Sequence, residues 1–246
     1  MVSFLRCIAF AIAIGIAAAR PAAAQQAAAA QHPYKPVGVS LPAASADKGL
    51  DAFRKQLATI VQRKDRAAFA RLVAAKEFFW EGDFGGMFDA KKSGFDNLSV
   101  ALRLTEADGR GWAALSAFAA ETTVGHGTEH PQARCAPAQP DYEDAELAAL
   151  TDATNTDVVD WSYPRATGLQ VRATPAAEAA VIETLGLTLV RVLGSDRSGW
   201  PRIATPGGKT GYVAPGSLLS PLADRLCFGK DASGGWRIIG YVGAGD

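Results

Sequence analysis

Leu50, Phe53, Leu57, Ile60 and Val61 fall at i, i+3, i+7, i+10 and i+11, one stripe of a helix whose wet side carries Arg54, Lys55, Gln62 and Arg63. Asp47 or Ser45 is placed to cap its start. Asp65 heads a second helix through Phe69, Leu72 and Val73, and Phe78-Phe79-Trp80 reads as a short buried strand before the turn glycines Gly82, Gly85 and Gly86. Leu98, Ala101 and Leu102 predict a third helix and Trp112, Leu115 and Ala119 a fourth, with Gly109 and Gly111 breaking between them. Glu121 to Pro140 shows no period, carries three prolines around Cys135, and reads as a long loop. The acids Asp141, Glu143, Asp144 and Glu146 precede Leu147 and Leu150 and suit the first turn of a helix.

From Trp161 the texture changes to short β-rich runs. Leu169-Gln170-Val171-Arg172 and Val190-Arg191-Val192-Leu193 alternate, Pro201-Arg202-Ile203 follows Trp200, and Gly211-Tyr212-Val213 follows a Pro-Gly-Gly turn. Strands spaced by about ten residues predict a small barrel. Beyond it, Leu226-Cys227-Phe228 and Trp236 to Val242 flank an Asp231-to-Gly235 turn and predict a hairpin that returns to the N-terminal region. The fold class is α+β: a mainly helical α+β domain over residues 47–163, a barrel over 164–222 and a hairpin over 223–246.

Leu169, Val171, Arg172, Pro175, Val181-Ile182, Leu185, Val190, Val192, Leu193, Trp200, Ile203, Gly208 to Val213 and Leu218 occur in the order of the bacterial SH3-like (SH3b) domain, which this segment, about 165–220, resembles. Gln170 stands where that family usually has Asn, and the turn between Leu185 and Val190 is one residue short, with Thr188 near the usual Gly. The resemblance implies a small β-barrel of the kind that accompanies cell-wall or peptide recognition. The helices, the Phe-Phe-Trp strand and the terminal hairpin resemble the NTF2-like fold only distantly.

The chain start adds an address. Met1 to Arg6 carries one positive charge, Cys7 to Ala19 is a 13-residue apolar stretch, and Ala22-Ala23-Ala24 offers a signal-peptidase site. Crossing a bilayer as a helix takes about 20 residues, so residues 1–24 read as a cleaved export signal and not a stable membrane anchor. Residues 25–46, rich in Ala, Gln and Pro, read as a flexible tether. Losing Arg6 and Arg20 from 25 basic residues leaves 23 against 25 acids, a near-neutral balance with no footprint for nucleic acid. Cys135 and Cys227 remain as the thiols of a periplasmic chain. One disulfide is their simplest arrangement, two separate buried thiols the alternative.

Candidate chemistry is sparse. Ser45-Ala46-Asp47-Lys48 and Lys209-Thr210-Gly211 match two elements of serine β-lactamases, but the first lies in the tether, the second inside the barrel pattern, and SDN is absent. His126, Glu129 and His130 lie in a glycine-flanked segment that lacks a third ligand, so neither a metal nor an organic cofactor is expected. Trp161, Tyr163, Trp200 and Tyr212 surround the barrel and are the candidate ligand-binding residues, with core packing as their alternative role. The function expected is an exported non-catalytic binding protein that contacts cell-wall peptide or a periplasmic protein. The alternative is a periplasmic hydrolase working in the N-terminal domain through some of Glu81, Asp83, Asp89, His126 and His130.

Overall fold

The computed structural model describes residues 32–82, 86–127 and 129–244. The expected signal, the first residues of the expected tether and Asp83 lie outside them. Helix α1, Lys48–Gln62, starts at Asp47, whose carboxylate accepts from the N–H groups of Gly49 and Leu50. Helix α2, Arg66–Ala70, starts in the same way at Asp65, which accepts from Ala68. Strand β1 is Phe79–Glu81, and helices α3, Gly94–Ala101, and α4, Arg110–Ala120, follow. The stretch expected to be one long loop holds two short strands, β2 at Gly125–His126 and β3 at Arg134–Ala136, before helix α5 at Asp144–Thr154. Seven strands then run in succession: β4 Trp161–Pro164, β5 Leu169–Arg172, β6 Val181–Leu185, β7 Val190–Ser195, β8 Pro201–Ala204, β9 Thr210–Tyr212 and β10 Leu218–Leu219. The terminal hairpin is β11, Arg225–Lys230, and β12, Trp236–Val242.

The molecule is α+β: N-terminal helices on a mixed sheet, and a seven-stranded antiparallel half-barrel. The mixed sheet has the order β1-β12-β11-β3-β2, with β1 parallel to β12 and the other pairs antiparallel. Leu50, Phe53, Leu57 and Val61 on the apolar stripe of α1 pack with Phe69, Leu98 and Leu115 against Phe228 and Ile238. The helices of the first half therefore bury their faces on strands supplied by the chain's last 22 residues. Strands β2 and β3 carry no alternation in the sequence because they are two and three residues long. What makes them strands is pairing: Leu226, Cys227 and Phe228 on β11 oppose Ala136, Cys135 and Arg134 on β3.

One row crosses all five strands of this sheet: Gly125, Cys135, Cys227, Gly240 and Phe79 are successive register partners. Cys135 and Cys227 are bonded, and both are fully buried. The next position has to be glycine, because a Cβ on Gly240 would stand 2.3 Å from the Phe79 ring that lies across it. Phe79 in turn packs against the disulfide cluster.

The half-barrel has the order β10-β4-β7-β8-β9-β5-β6. Leu169, Val171, Leu185, Val190, Ile203 and Val213 fill its concave side. Its first strand begins at Trp161, so the sheet reaches into the segment assigned from sequence to the N-terminal domain. The second difference is the tether. Residues 34–39 are laid over the half-barrel as an extended strap with Val37 and Val39 buried, and residues 40–45 run on to pair with Asp141 and Thr123. Val39 N–H donates to the Leu187 carbonyl at 3.1 Å, Leu189 N–H donates to that of Val37 at 3.0 Å, and Ser40 and Asp141 exchange both backbone bonds. Composition read this stretch as unstructured, but two valines and a paired backbone hold it down. No helix among the described residues is long and apolar enough to cross a membrane.

The disulfide closes a loop of 92 residues, which in the chain-entropy account is worth about 4–5 kcal/mol. Replacing both cysteines by alanine should lower the unfolding free energy by about that amount in a denaturant titration. A dithiol reductant should leave the bond intact in the folded wild type, since both sulfurs are buried. Gly240→Ala should cost about 1–3 kcal/mol by overpacking. Phe79→Ala in the same chain should cancel part of that cost, and additive losses would show that the ring is not what excludes the methyl group.

Candidate functional site

The convex face of the half-barrel decides the fate of the four aromatic candidates. Trp161 on β4 is the register partner of Arg191 on β7, and Arg191 is the partner of Ala204 on β8. Their sheet neighbours Ser162 and Val190 face the concave core, so Trp161, Arg191 and Ala204 form one row on the convex side. That side is roofed. Val37 and Val39 from the strap and Leu147 and Leu150 from α5 close over Trp161, Tyr163 and Leu189. Trp161 is 0% and Tyr163 2% exposed. The Trp161 indole N–H donates to Thr156 Oγ1 at 2.9 Å, and its ring meets Tyr34 edge-on at 4.9 Å. Burial pushes the Tyr163 phenol up to about 12. These two residues pack in the core against the protein's own roof, the alternative role weighed for them from the sequence. Trp200 and Tyr212 are half-buried and belong to none of the buried clusters.

Where the roof is incomplete, it leaves a cleft of about 660 Å³. Its floor is Arg191 and Ala204, one wall is His32 to Lys35 of the strap, and the other is Ala145, Ala149 and Ala153 of α5. The alanines recur at i, i+4 and i+8 and so share one flank of the helix. Their side chains are too short to meet the strap, and the space between is the cleft. Val37 and Leu150 close its deep end. At the mouth, Lys35 Nζ reaches Glu146 Oε1 at 2.8 Å. Tyr34 anchors the wall, its hydroxyl 3.0 Å from the Ala204 carbonyl and 3.3 Å from that of Leu189, and its burial raises the phenol above its ordinary range. The result is an apolar trough with polar groups at its rim, of a size that holds a small molecule or a few residues of peptide. Sequence reasoning missed it because alanine carries no chemical signal. The spacing of Ala145, Ala149 and Ala153 beside the core positions Leu147 and Leu150 was the trace available.

Of the described residues considered for catalysis, the fold brings two together. His130 Nε2 lies 3.8 Å from Glu81 Oε1, and the His130 ring stacks on Phe79 at 3.8 Å. Glu81 Oε1 is buried and accepts no hydrogen bond. His126 is apart from them, its Nδ1 2.7 Å from the Pro131 carbonyl and its ring against Arg134. Asp89 is a turn residue that accepts from Lys91 N–H at 2.9 Å while its backbone is held by Asn97. Among the described residues no group of three His, Cys, Asp or Glu side chains is placed to hold a metal ion.

The division between core and surface rings is measurable. Trp161→Ala should lower the unfolding free energy by about 3–5 kcal/mol, and Trp200→Ala by about 1 kcal/mol or less. Equal losses in thermal or denaturant unfolding would place Trp200 in the core.

No protein-family model, curated protein or solved structure matches this chain, which leaves the geometry of the cleft and the face around it as the ground for a role.

Proposed function

We propose that the protein is an exported, non-catalytic binding protein in which an SH3-like half-barrel and its roof hold an extended peptide. The ligand comes from the cell wall or from a periplasmic protein, and the binding uses no metal, organic cofactor or nucleic acid. The observation that carries this reading is the cleft of about 660 Å³ floored by the convex face of the half-barrel. Its volume lies in the range of ligand sites, and its apolar walls with a polar rim suit a chain that buries small side chains and bonds through its backbone. The strap supports the same mode of contact. It lies on the half-barrel as an extended chain, paired through Val37 and Val39 with Leu187 and Leu189, which is how an added peptide would lie. The succession of short antiparallel strands around one apolar core supports the SH3-like reading. A buried disulfide is consistent with an oxidising compartment, which supports export to the periplasm.

One observation favours a second reading. The Glu81–His130 pair, with a buried carboxylate oxygen lacking a hydrogen bond, is the kind of arrangement a hydrolase uses for proton transfer. It lies away from the cleft, which neither residue lines.

Ala149 is exposed on α5 and points into the cleft, so Ala149→Trp fills the trough without disturbing the core. The mature protein should co-sediment with purified sacculi, and the variant's retention should fall at least tenfold. Equal retention would refute the cleft as the site. Turnover in a hydrolase screen that is lost in Glu81→Gln and kept in Ala149→Trp would replace the binding reading with the enzyme.

A further inference from the structure

Five polar or charged side chains are buried among the described residues, and four of them are bonded. Asn97 donates to the Asp89 carbonyl, Ser99 to that of Phe95, Thr205 to Glu183, and Arg54 to the Glu121 carbonyl and to Asp51. The fifth, Arg225 on β11, is 5% exposed, and its guanidinium makes no hydrogen bond or ion pair. Glu81, whose ion-pair contact is His130, acts on Arg225 only through space. The sheet keeps the two apart: both are register partners of Val242, so a whole strand lies between them, two spacings of about 4.8 Å. Burial pulls the guanidinium below its ordinary pKa, and the Glu81 charge opposes that pull without cancelling it. A charge held out of water in this way is costly unless something neutralises it.

None of the Arg225 nitrogens is among the sealed polar atoms that lack a partner, so the head opens on the hollow that Arg225 lines. That hollow lies where the two sheets meet. β11 supplies Arg225, β4 supplies Tyr163, the segment after β3 supplies Pro137 and Pro140, and the segment after β10 supplies Ser220 and Pro221. The Tyr163 hydroxyl makes no hydrogen bond either, is likewise not sealed in, and is kept protonated by burial, hence a donor. Ser220 Oγ accepts from Leu222 N–H at 3.1 Å and keeps its own proton to give. Among the described residues no acid lines the hollow, and Arg225 is its one charged residue. The volume, about 10 Å³, holds one particle the size of a water molecule.

We propose that this hollow is a halide site, in which one chloride ion neutralises Arg225 and joins the two sheets. The lining selects the occupant by charge, donors and size. Arg225, Tyr163 and Ser220 offer N–H and O–H groups and no acidic oxygen. The three prolines wall the space with apolar rings, where the attraction of a guanidinium for an anion is stronger than in water. Room for a single particle excludes phosphate, sulfate and carboxylate ligands. Water would accept the same protons but would leave the charge unbalanced. The ion links β11 to β4, and so ties the half-barrel to the mixed sheet two residues from Cys227.

The test compares the mature protein in sodium chloride and in sodium gluconate, an anion too large for the hollow, at equal ionic strength so that screening is the same. Thermal unfolding should occur about 3 °C or more higher in chloride, and the gain should follow the logarithmic concentration dependence of one-site linkage. The chloride nuclear resonance should broaden when protein is added and sharpen again when bromide competes. Arg225→Met should abolish both the salt difference and the broadening. Tyr163→Phe, which keeps the ring and removes a hydroxyl bonded to nothing in the protein, should weaken halide binding about threefold or more, and it decides the matter where Arg225→Met does not fold. Equal unfolding in the two salts with no protein-dependent broadening overturns the site and leaves water as the occupant. A salt difference that persists unchanged in Arg225→Met, or in Tyr163→Phe, comes from another part of the surface and also overturns it.

Discussion

Trp161, Tyr163 and Leu189 stand on the convex face of the second sheet, and their burial is the constraint from which the arrangement of the molecule follows. A half-barrel fills its concave side with its own residues, but nothing in the sheet covers the other side. Leaving a tryptophan, a tyrosine and a leucine there in water would forgo several kcal/mol of transfer free energy. The cover comes from outside the sheet: Val37 and Val39 of the strap and Leu147 and Leu150 of α5. Because both covering segments precede the strands they cover, the half-barrel's stability depends on chain that composition alone would assign elsewhere. The cleft is a by-product of the same cover, the place where α5 presents alanine instead of leucine.

The mixed sheet ties the halves together in the opposite sense. Its central strands, β11 and β12, come after the half-barrel, and they supply Phe228, Ile238 and Tyr241 to the core that α1, α3 and α4 bury. The first half of the chain therefore has no complete core until the last strands arrive, and the last strands pair only with each other until β1 and β3 are in place. Such long-range pairing makes closure entropically costly. The Cys135–Cys227 bond holds β3 to β11 across 92 residues, at the junction where that closure is made. The row it belongs to is tightly specified, with glycine required at 240 because Phe79 occupies the space a side chain would need.

What the sequence made legible was governed by local interactions. The stripes of α1 and α4, the caps at Asp47 and Asp65, and the alternation of β5 and β7 follow from nearest neighbours along the chain, and they stand where their spacing put them. The strap and β3 are stabilised by partners far along the chain, Leu187 and Leu189 for the strap and β11 for β3, while β2 is held by β3; their own composition opposes the assignment. Val37-Gly38-Val39 does carry a two-residue alternation, too short to outweigh the surrounding Ala and Pro. Trp161 and Tyr163 show the same limit at the site. Their spacing puts them on one face of β4, but no local pattern says that this face is covered by a segment 120 residues upstream. The alanine wall was invisible because the absence of side chains leaves no mark of its own.

The roof is not uniformly firm, and that bears on how a cleft beneath it can serve a ligand. Its deep part is anchored by buried valines and by backbone bonds to Leu187 and Leu189. Its mouth is closed by the Lys35–Glu146 pair, whose side chains are 78% and 39% exposed. An ion pair so wetted contributes about 1 kcal/mol or less and weakens as salt rises. Opening the mouth therefore costs little, whereas lifting the strap from Val37 onward would expose Trp161 and break several hydrogen bonds at once. Lys35 can swing aside while the cover over the tryptophan stays in place. Entry and stability are thereby separated along the length of a single extended segment, since the residues that guard the cleft are not the ones that hold the half-barrel together.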